Sequence, residues 1–512
     1  VTQALRHRLF LTLLLLAGAG LALFLPFLPA GPDIYVHILW PQQVARCLAQ
    51  GQLPLWLPDL NAGFGSPGIR LYSPGGPVVV GVPGLILGDI GKALRLAWFG
   101  ALAALLLVAR AWHPKAPTLS GLLLWASPLV PFLLVYRAAS SEVLALPLAL
   151  WLLEAAVQDR GSARLEAFLW AGLWLLHAPT FMMTTILVVL SVCVPKPSVA
   201  GSQRRLLPLV AGFALCAWHW VPLFLERQLV NLDEGLTSDI FRATKNFLFS
   251  PSPHDAFAVR RLGWLAVAWA IVGLMVWFHD RRRGVVVWTA ILLATPITYP
   301  LWLALPPLKY LQFPWRFLTP VSLLLPGALS SLAAQRRTAA IVLFLLPHLW
   351  MPPLGFVRDP GFTAGQSWVE LGEKVFRAFS GNPLVVDAVQ NRPAAFSSLA
   401  TNLQRFGKEV LVLAPGAVAV QQWQPLRRTV VVEAEHAGVV ELRLLAYPFW
   451  RARVDGKPVV ATMAEGIVAV PVPQGHHRVE VAWSGNPATP WGWAVALLAL
   501  AAMLAFPRSG KP

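Results

Sequence analysis

Apolar runs long enough to cross a membrane recur from Leu9 to Leu354, stop, and resume once near the C-terminus. Short basic clusters separate them: Arg6/Arg8, Arg110/Lys115, Arg160/Arg164, Lys196/Arg204/Arg205, Arg281/Arg282/Arg283, Arg336/Arg337 and Arg508/Lys511. Lys and Arg collect in cytoplasmic loops. If every cluster is cytoplasmic, neighbouring clusters are separated by an even number of crossings. That parity predicts helices near 9–28, 93–110, 117–135, 141–157, 164–177, 179–194, 206–225, 262–279, 284–305, 316–334, 338–354 and 489–506, with both termini cytoplasmic. The first run follows Arg6-His7-Arg8 and, at about 20 residues, is long enough to span, so it reads as a signal anchor. Val78–Leu87 is short and rich in Gly and Pro, and counting it would break the parity, so an interfacial or re-entrant piece is expected there. The stretch 164–194 reads as two short helices bent at His177-Ala178-Pro179, because basic residues flank both ends.

This topology places the 29–77 loop, the Tyr136–Glu142 link, the 226–261 loop, the 305–316 segment and a domain at 355–487 on the extracytoplasmic side. In that domain the apolar runs shorten to strand length and become rich in Val. Strands are expected in TVVVEAEH, VVELRLLAY, WRARV, KPVVATM, GIVAVPV and HRVEVAWS, with a hairpin turn at Asp455-Gly456 and another turn at Pro473-Gln474-Gly475. A β-sandwich follows, preceded by a mixed region with a helix near 366–379. His476-His477 reads as an exposed turn pair, and no Cys or His set there has metal spacing. Structural support is the expected role, with substrate cradle, lid and partner platform left open.

The expected organisation is thus a transmembrane domain over 1–354 with an ordered first outer loop (29–77), a mixed then β-sandwich domain over 355–487, and a final helix and basic tail over 488–512. Composition agrees with a mainly α, polytopic membrane protein of about 12 helices carrying an extracytoplasmic α+β domain. The chain is 56% hydrophobic and only 13% charged, against roughly 25% charged in soluble domains. The net charge of +17 lies in the inter-helix clusters, which argues against nucleic-acid binding. Cys47, Cys193 and Cys216 form no CxxC pair and read as apolar thiols.

The first outer loop carries the candidate chemistry. Gly31-Pro32-Asp33 reads as a helix start with Pro at its first position. Val36, Trp40, Val44, Cys47 and Leu48 then share one face, opposite Gln43, Arg46 and Gln50, and Gly51 terminates. Such a helix would lie along the membrane surface, kinked at Pro41. Asp33 and His37, four residues apart, share its N-terminal face. The rest of the loop has closely spaced Gly, Pro and aromatics, so it is shaped and ordered; Trp56 and Tyr72 serve as an interfacial belt or as sugar-stacking platforms.

The pattern D-x-x-x-H followed by G-x-L-P-L-W-x-P-D-x-x-x-G-x-G-x-P resembles bacterial multi-pass proteins labelled 6-pyruvoyl-tetrahydropterin synthase-related or YfhO-like, which are similar to the GT-C glycosyltransferase superfamily. The resemblance continues in Tyr136–Glu142, Leu311–Leu318 and Tyr447–Val459. It implies a transferase in the bacterial cytoplasmic membrane using a polyprenyl-phosphate-linked sugar donor and a glycan or protein acceptor. In such enzymes an acid in the first outer loop activates the acceptor hydroxyl or positions a divalent metal, and Asp33 occupies that place. This chain lacks the Asp-Asp or Asp-Glu pair that some GT-C families carry. Its second outer motif departs from a more regular Arg-Gly-Ala-x-Ala-Glu pattern. The pterin-synthase label would require a three-histidine zinc site, and the eleven histidines show no such spacing.

Each candidate has a plainer reading. Asp33 is a general base or an acid complementing a helix dipole; an acid at a membrane surface is costly without a use. His37 orients Asp33, touches phosphate, or bonds locally. Arg137 and Glu142 bind lipid-linked phosphate or pair with each other to fix the helix turn. Arg316, with Lys309 and Tyr310 upstream, is a second phosphate ligand or an interfacial anchor beside Trp315. Asp59 caps a turn before Asn61, His177 marks a helix break, and Arg260-Arg261 meet lipid headgroups. The rival functions are a non-catalytic protein of the same fold that binds lipid-linked glycan or organises an envelope assembly, and a transporter. A transporter would call for mid-membrane ionisable pairs and repeated halves.

Overall fold

A computed structural model describes residues 17–192, 199–229, 241–366, 370, 399–407 and 410–505. The helix expected near 366–379, the start of the first apolar run and the basic C-terminal tail lie outside these. Among the described residues, Ile90–Trp112, Ser140–Gln158 and Ala256–Trp277 are single helices long and apolar enough to cross a membrane. Three bent helix pairs meet the same length and composition only when their halves are taken together, each a broken span or a re-entrant loop: Pro117–Trp125 with Leu129–Tyr136 at 44°, Leu206–Leu215 with Ala217–Leu229 at 69°, and Arg281–Leu293 with Pro296–Ala304 at 82°. Pro128 and Pro296 open the second halves of two of these pairs, where a missing N–H breaks the helical ladder. The other expected spans are shorter helices of 12 to 17 residues, including Ala163–Leu176, Ala178–Val192, Leu318–Ser331, Ala334–Leu345 and Thr489–Ala505. His177 separates the first two of these, so the described part of that stretch, 164–192, is two helices.

The first apolar run ends as a helix at residue 24, before Pro26, rather than continuing to 28. Phe27–Pro29 (β1) then pairs antiparallel with Phe356–Arg358 (β2). Buried Arg95 locks this strap, donating to Asp359 Oδ2 at 2.6 Å and to the Ala22 carbonyl at 2.9 Å. The expected surface helix runs from Val36 to Ala49, unbroken at Pro41, but it is not a surface helix. Gln42 and Gln43 are fully buried. Its polar face binds protein instead of water: Gln43 Nε2 donates to Asp59 Oδ2 at 2.7 Å, its Oε1 accepts from the Asp59 N–H at 2.9 Å, and Gln42 donates to the Thr363 carbonyl at 3.1 Å. Asp59, with Arg46 at 3.1 Å, therefore ties the loop to this helix through its side chain rather than capping a turn. The stretch expected to be interfacial or re-entrant is a 13-residue helix, Gly75–Leu87, packed on Val36–Ala49. Gly81 allows that approach, since a Cβ there would meet the Pro41 carbonyl oxygen at 2.6 Å.

Ser140–Gln158 is the most buried of the long helices and carries an acid near each end. Glu142 meets Arg316, and Glu154, fully buried, bonds Arg283, His113 at 3.0 Å and Gln158 at 2.7 Å.

Nine strands follow residue 411: Val412–Leu413 (β3), Gly416–Gln424 (β4), Arg427–Ala434 (β5), Gly438–Leu445 (β6), Trp450–Val454 (β7), Lys457–Val459 (β8), Thr462–Ala464 (β9), Ile467–Val472 (β10) and Gly475–Trp483 (β11). They form a four-stranded sheet β3-β6-β10-β9 and a five-stranded sheet β4-β5-β11-β7-β8. Val430, Val432, Leu442, Leu444, Val470 and Val481 fill the core between them, as the alternating pattern requires. Asp455 and Gly456 both take positive φ between β7 and β8, the conformation a tight hairpin favours. The first outer loop enters this domain. Trp56 and Phe64 belong to its core, the Leu445 N–H donates to the Phe64 carbonyl at 2.8 Å, and buried Arg443 donates to the Ala62 carbonyl at 2.9 Å. Glu226 completes the seam by bonding Arg70, Tyr447 at 2.9 Å and Asn486 at 2.8 Å.

Candidate functional site

Asp33 is set in a turn before the Val36–Ala49 helix rather than in that helix's first turn. Gly31 allows the turn to press on the backbone of residues 135–137, where a Cβ would stand 2.6 Å from the Tyr136 carbonyl oxygen. The Asp33 N–H donates to the Arg137 carbonyl at 3.2 Å, and Asp33 Oδ2 accepts from Arg137 Nη2 at 2.8 Å. The Asp33 side chain remains 32% exposed, so the carboxylate is reachable.

Arg137 follows a π-helical turn, Phe132–Tyr136, and closes it by donating its N–H to the Phe132 carbonyl at 2.8 Å. Ala138 then takes φ +54°, where a glycine would be unstrained; this is where the motif departs from the regular Arg-Gly pattern. The guanidinium of Arg137 lies 5.0 Å from the Phe313 ring centre, and that of Arg316 lies 4.7 Å from the same ring. Both are also 5.9 Å from Trp315. Two cations held against one aromatic pair place positive charge where water is largely excluded. Phe313 is aimed by Gln312, whose φ of +57° and ψ of −42°, with the Phe313 N–H on the Leu311 carbonyl at 2.5 Å, make a tight γ-turn, a rare and strained form.

Arg137 and Glu142 do not pair with each other. Glu142, almost fully buried, faces Arg316 Nε at 3.3 Å and accepts from Thr319 at 2.9 Å. Arg316 is therefore a buried, ion-paired residue rather than an interfacial anchor. The exposed Lys309 and Tyr310 pack on each other away from it.

Asp33 and Arg137 line a cavity of about 540 Å³ with Tyr35, Phe132, Phe313 and Trp315, within the usual size range of small-molecule sites. The other wall comes from the 241–262 segment: Phe241, Asn246, His254, Asp255, Phe257 and Leu262. Asp255 Oδ1 accepts from the Ala258 N–H at 2.9 Å, which caps the Ala256–Trp277 helix, and its Oδ2 accepts from the Tyr136 hydroxyl at 3.0 Å. An Asp directly before a long apolar helix signals a cap, and nothing in the pattern along the chain sets Asp255 opposite Asp33.

His37 and Tyr72 lie within electrostatic reach of Arg316 and Asp33. Burial pushes His37 down to about 4, opposed by Asp33 and reinforced by Arg137 and Arg316, so its ring is neutral at pH 7. Burial pushes the Tyr72 phenol up to about 12, and its ring packs edge-on against Trp40 at 5.9 Å and His177 at 6.3 Å. Trp56 is elsewhere. It is fully buried against Trp450 at 5.2 Å, Trp483 at 5.5 Å and Tyr447 at 6.0 Å, in the core of the β-domain. Among the described residues no three His, Cys, Asp or Glu side chains converge as a metal site.

No family model matches the chain, and no curated protein does. Among solved structures the chain is similar to the cryo-EM structure of the arabinofuranosyltransferase AftD from Mycobacteria, at 18% identity over 66% of this chain and 26% of that one, with a TM-score of 0.41. It is also similar to a mutant of AftD, at 15% identity over 94% of this chain and 42% of that one, with a TM-score of 0.46. The chain spans less than half the length of the structures it matches.

Proposed function

We propose that this protein is a membrane glycosyltransferase that moves a sugar from a polyprenyl-phosphate-linked donor to an envelope acceptor, glycan or protein, on the extracytoplasmic face of a bacterial cytoplasmic membrane. The observation that carries the reading is the junction of an accessible acid, Asp33, with Arg137 at the edge of one cavity, backed by Arg316 on the same aromatic pair. In this chemistry the acceptor oxygen attacks the anomeric carbon and forms the new C–O bond. The bond from that carbon to the phosphate oxygen breaks on the opposite face, and the lipid phosphate leaves with the electron pair. Asp33 takes the acceptor's proton. Arg137 offsets the charge gathering on phosphate, with planar donors suited to its oxygens, and buried Arg316, on the same aromatic pair but not lining the cavity, adds to the field there. Glu142 acts through Arg316 as a positioning residue, and neutral His37 supplies a hydrogen bond without adding charge.

The ion pair between Asp33 and Arg137 has a mechanistic use. A phosphate that draws Arg137 away leaves Asp33 more basic at the moment the acceptor needs it. The same pair also favours the rival reading, a binding protein whose acid is already neutralised. Asp33→Asn separates them: transfer is abolished while the folded amount in membranes is unchanged. Undiminished transfer by that variant overturns the role of Asp33, and purified protein that binds the donor without turnover establishes the rival.

A further inference from the structure

We propose that Asp255, held in place by the Tyr136 hydroxyl, is the element of the cavity that recognises the hydroxyl groups of the donor sugar. This rests on reading the cavity as a lipid-linked sugar site, and it assigns the two walls to different parts of that ligand.

The two acids of the cavity differ in how their charge is met. Asp33 is offset by Arg137. Asp255 makes no ion pair among the described residues; its partners are a backbone N–H and the Tyr136 phenol, which itself lies within electrostatic reach of Arg137 and Arg261. Each carboxylate oxygen accepts more than one hydrogen bond, so both retain capacity toward the cavity. Adjacent sugar hydroxyls are donors of the right kind, and hydrogen bonds to a charged acceptor are the stronger class. A phosphate would be repelled from this wall and drawn to Arg137 beside Phe313 and Trp315. The cavity is thus polarised, with its cationic side suited to phosphate and its Asp255 side to a polyol. Phe132 on the first wall and Phe241 and Phe257 on the second present apolar surface to the C–H faces of a ring. Tyr136 and Arg137 are consecutive, so one short link supplies Arg137 to one wall and, through the Tyr136 hydroxyl, fixes Asp255 on the other.

The plainer role of Asp255 is the helix cap alone. Asn caps a helix about as well as Asp, so Asp255→Asn keeps the cap and removes the charge. The test uses the full chain in nanodiscs, titrated with bare polyprenyl phosphate and with polyprenyl-phosphoryl hexose and pentose. Asp255→Asn is expected to weaken the preferred sugar-bearing lipid by about tenfold, the worth of one charged hydrogen bond, and to leave the bare phosphate within about twofold. Tyr136→Phe, which leaves the carboxylate but frees its orientation, is expected to weaken the sugar-bearing lipid selectively as well. Equal loss for both lipids, or no loss for either, overturns the assignment and leaves the glycosyltransferase reading standing. Wild-type protein that binds neither lipid overturns that reading, and this assignment with it.

Discussion

Asp33 holds Arg137 twice, once through its backbone N–H on the Arg137 carbonyl at 3.2 Å and once through Oδ2 on the guanidinium at 2.8 Å. The main-chain contact keeps the two residues adjacent even when the side chains part. A partly exposed ion pair contributes at most about 1 kcal/mol to stability. Arg137→Gln is therefore expected to fold normally, with donor-dependent transfer reduced by about a hundredfold, comparable to removing one group that stabilises developing charge. Melting in detergent and transfer at saturating donor check both halves; normal transfer would remove Arg137 from the mechanism.

The Glu142–Arg316 pair should behave in the opposite way, because both partners are buried. Glu142→Ala leaves a buried cation without its counter-charge, at a cost of about 3–5 kcal/mol. Replacing both, as Glu142→Leu with Arg316→Met, should recover much of the stability while transfer stays low. Thermal melting and transfer of the single and double variants decide this, and recovery of transfer in the double variant contradicts a phosphate role for Arg316.

Trp56 gives a contrast between packing and recognition. Buried among Trp450, Trp483 and Tyr447, it should cost about 3–5 kcal/mol when truncated to Ala. Donor KM for the protein that does fold should be unchanged. A raised KM with intact stability would restore the sugar-stacking reading of this residue.

His37 predicts a pH dependence. Its affinity for protons in the folded chain is pushed down to about 4, against about 6.5 unfolded, so the unfolded state binds more protons between those values. Stability from this group is full above about pH 6.5 and declines as pH falls toward 4, by at most about 1.4 kcal/mol per pH unit. Melting curves at pH 7 and pH 5 should show a larger loss for wild type than for His37→Gln. Equal losses would mean that His37 is not held neutral by its surroundings.

Much of this molecule is legible along the chain because membrane and sheet impose strong periods. The β-strands from Arg427 to Trp483 follow their Val alternation, and the Asp455-Gly456 turn follows from its dipeptide. The break at His177 follows from the Pro two residues later. Less legible is which polar residues face protein. Gln43 and Arg46 read as the polar side of a surface helix, whereas Arg46 meets the Gln366 carbonyl and neighbouring Gln42 the Thr363 carbonyl, partners far along the chain. The site divides in the same way. Asp33 and Arg137 stand out locally as charges beside apolar helices, whereas their pairing is made by the backbone fit at Gly31. Asp255 reaches the cavity through a contact with Tyr136 across 119 residues, and Trp56 leaves it because the loop follows its aromatics into the β-domain.

Ser140–Gln158 has a bearing on how the protein sits in lipid. Glu142 and Glu154 are twelve residues apart, about 18 Å along the axis. Each is fastened to an arginine from another helix, Arg316 at one end and Arg283 at the other. A rod riveted at two heights cannot slide along its length without breaking a buried pair. Its depth is therefore shared with the segments that carry Arg316 and Arg283, and the second of these, Arg281–Leu293, is itself half of the pair bent by 82°.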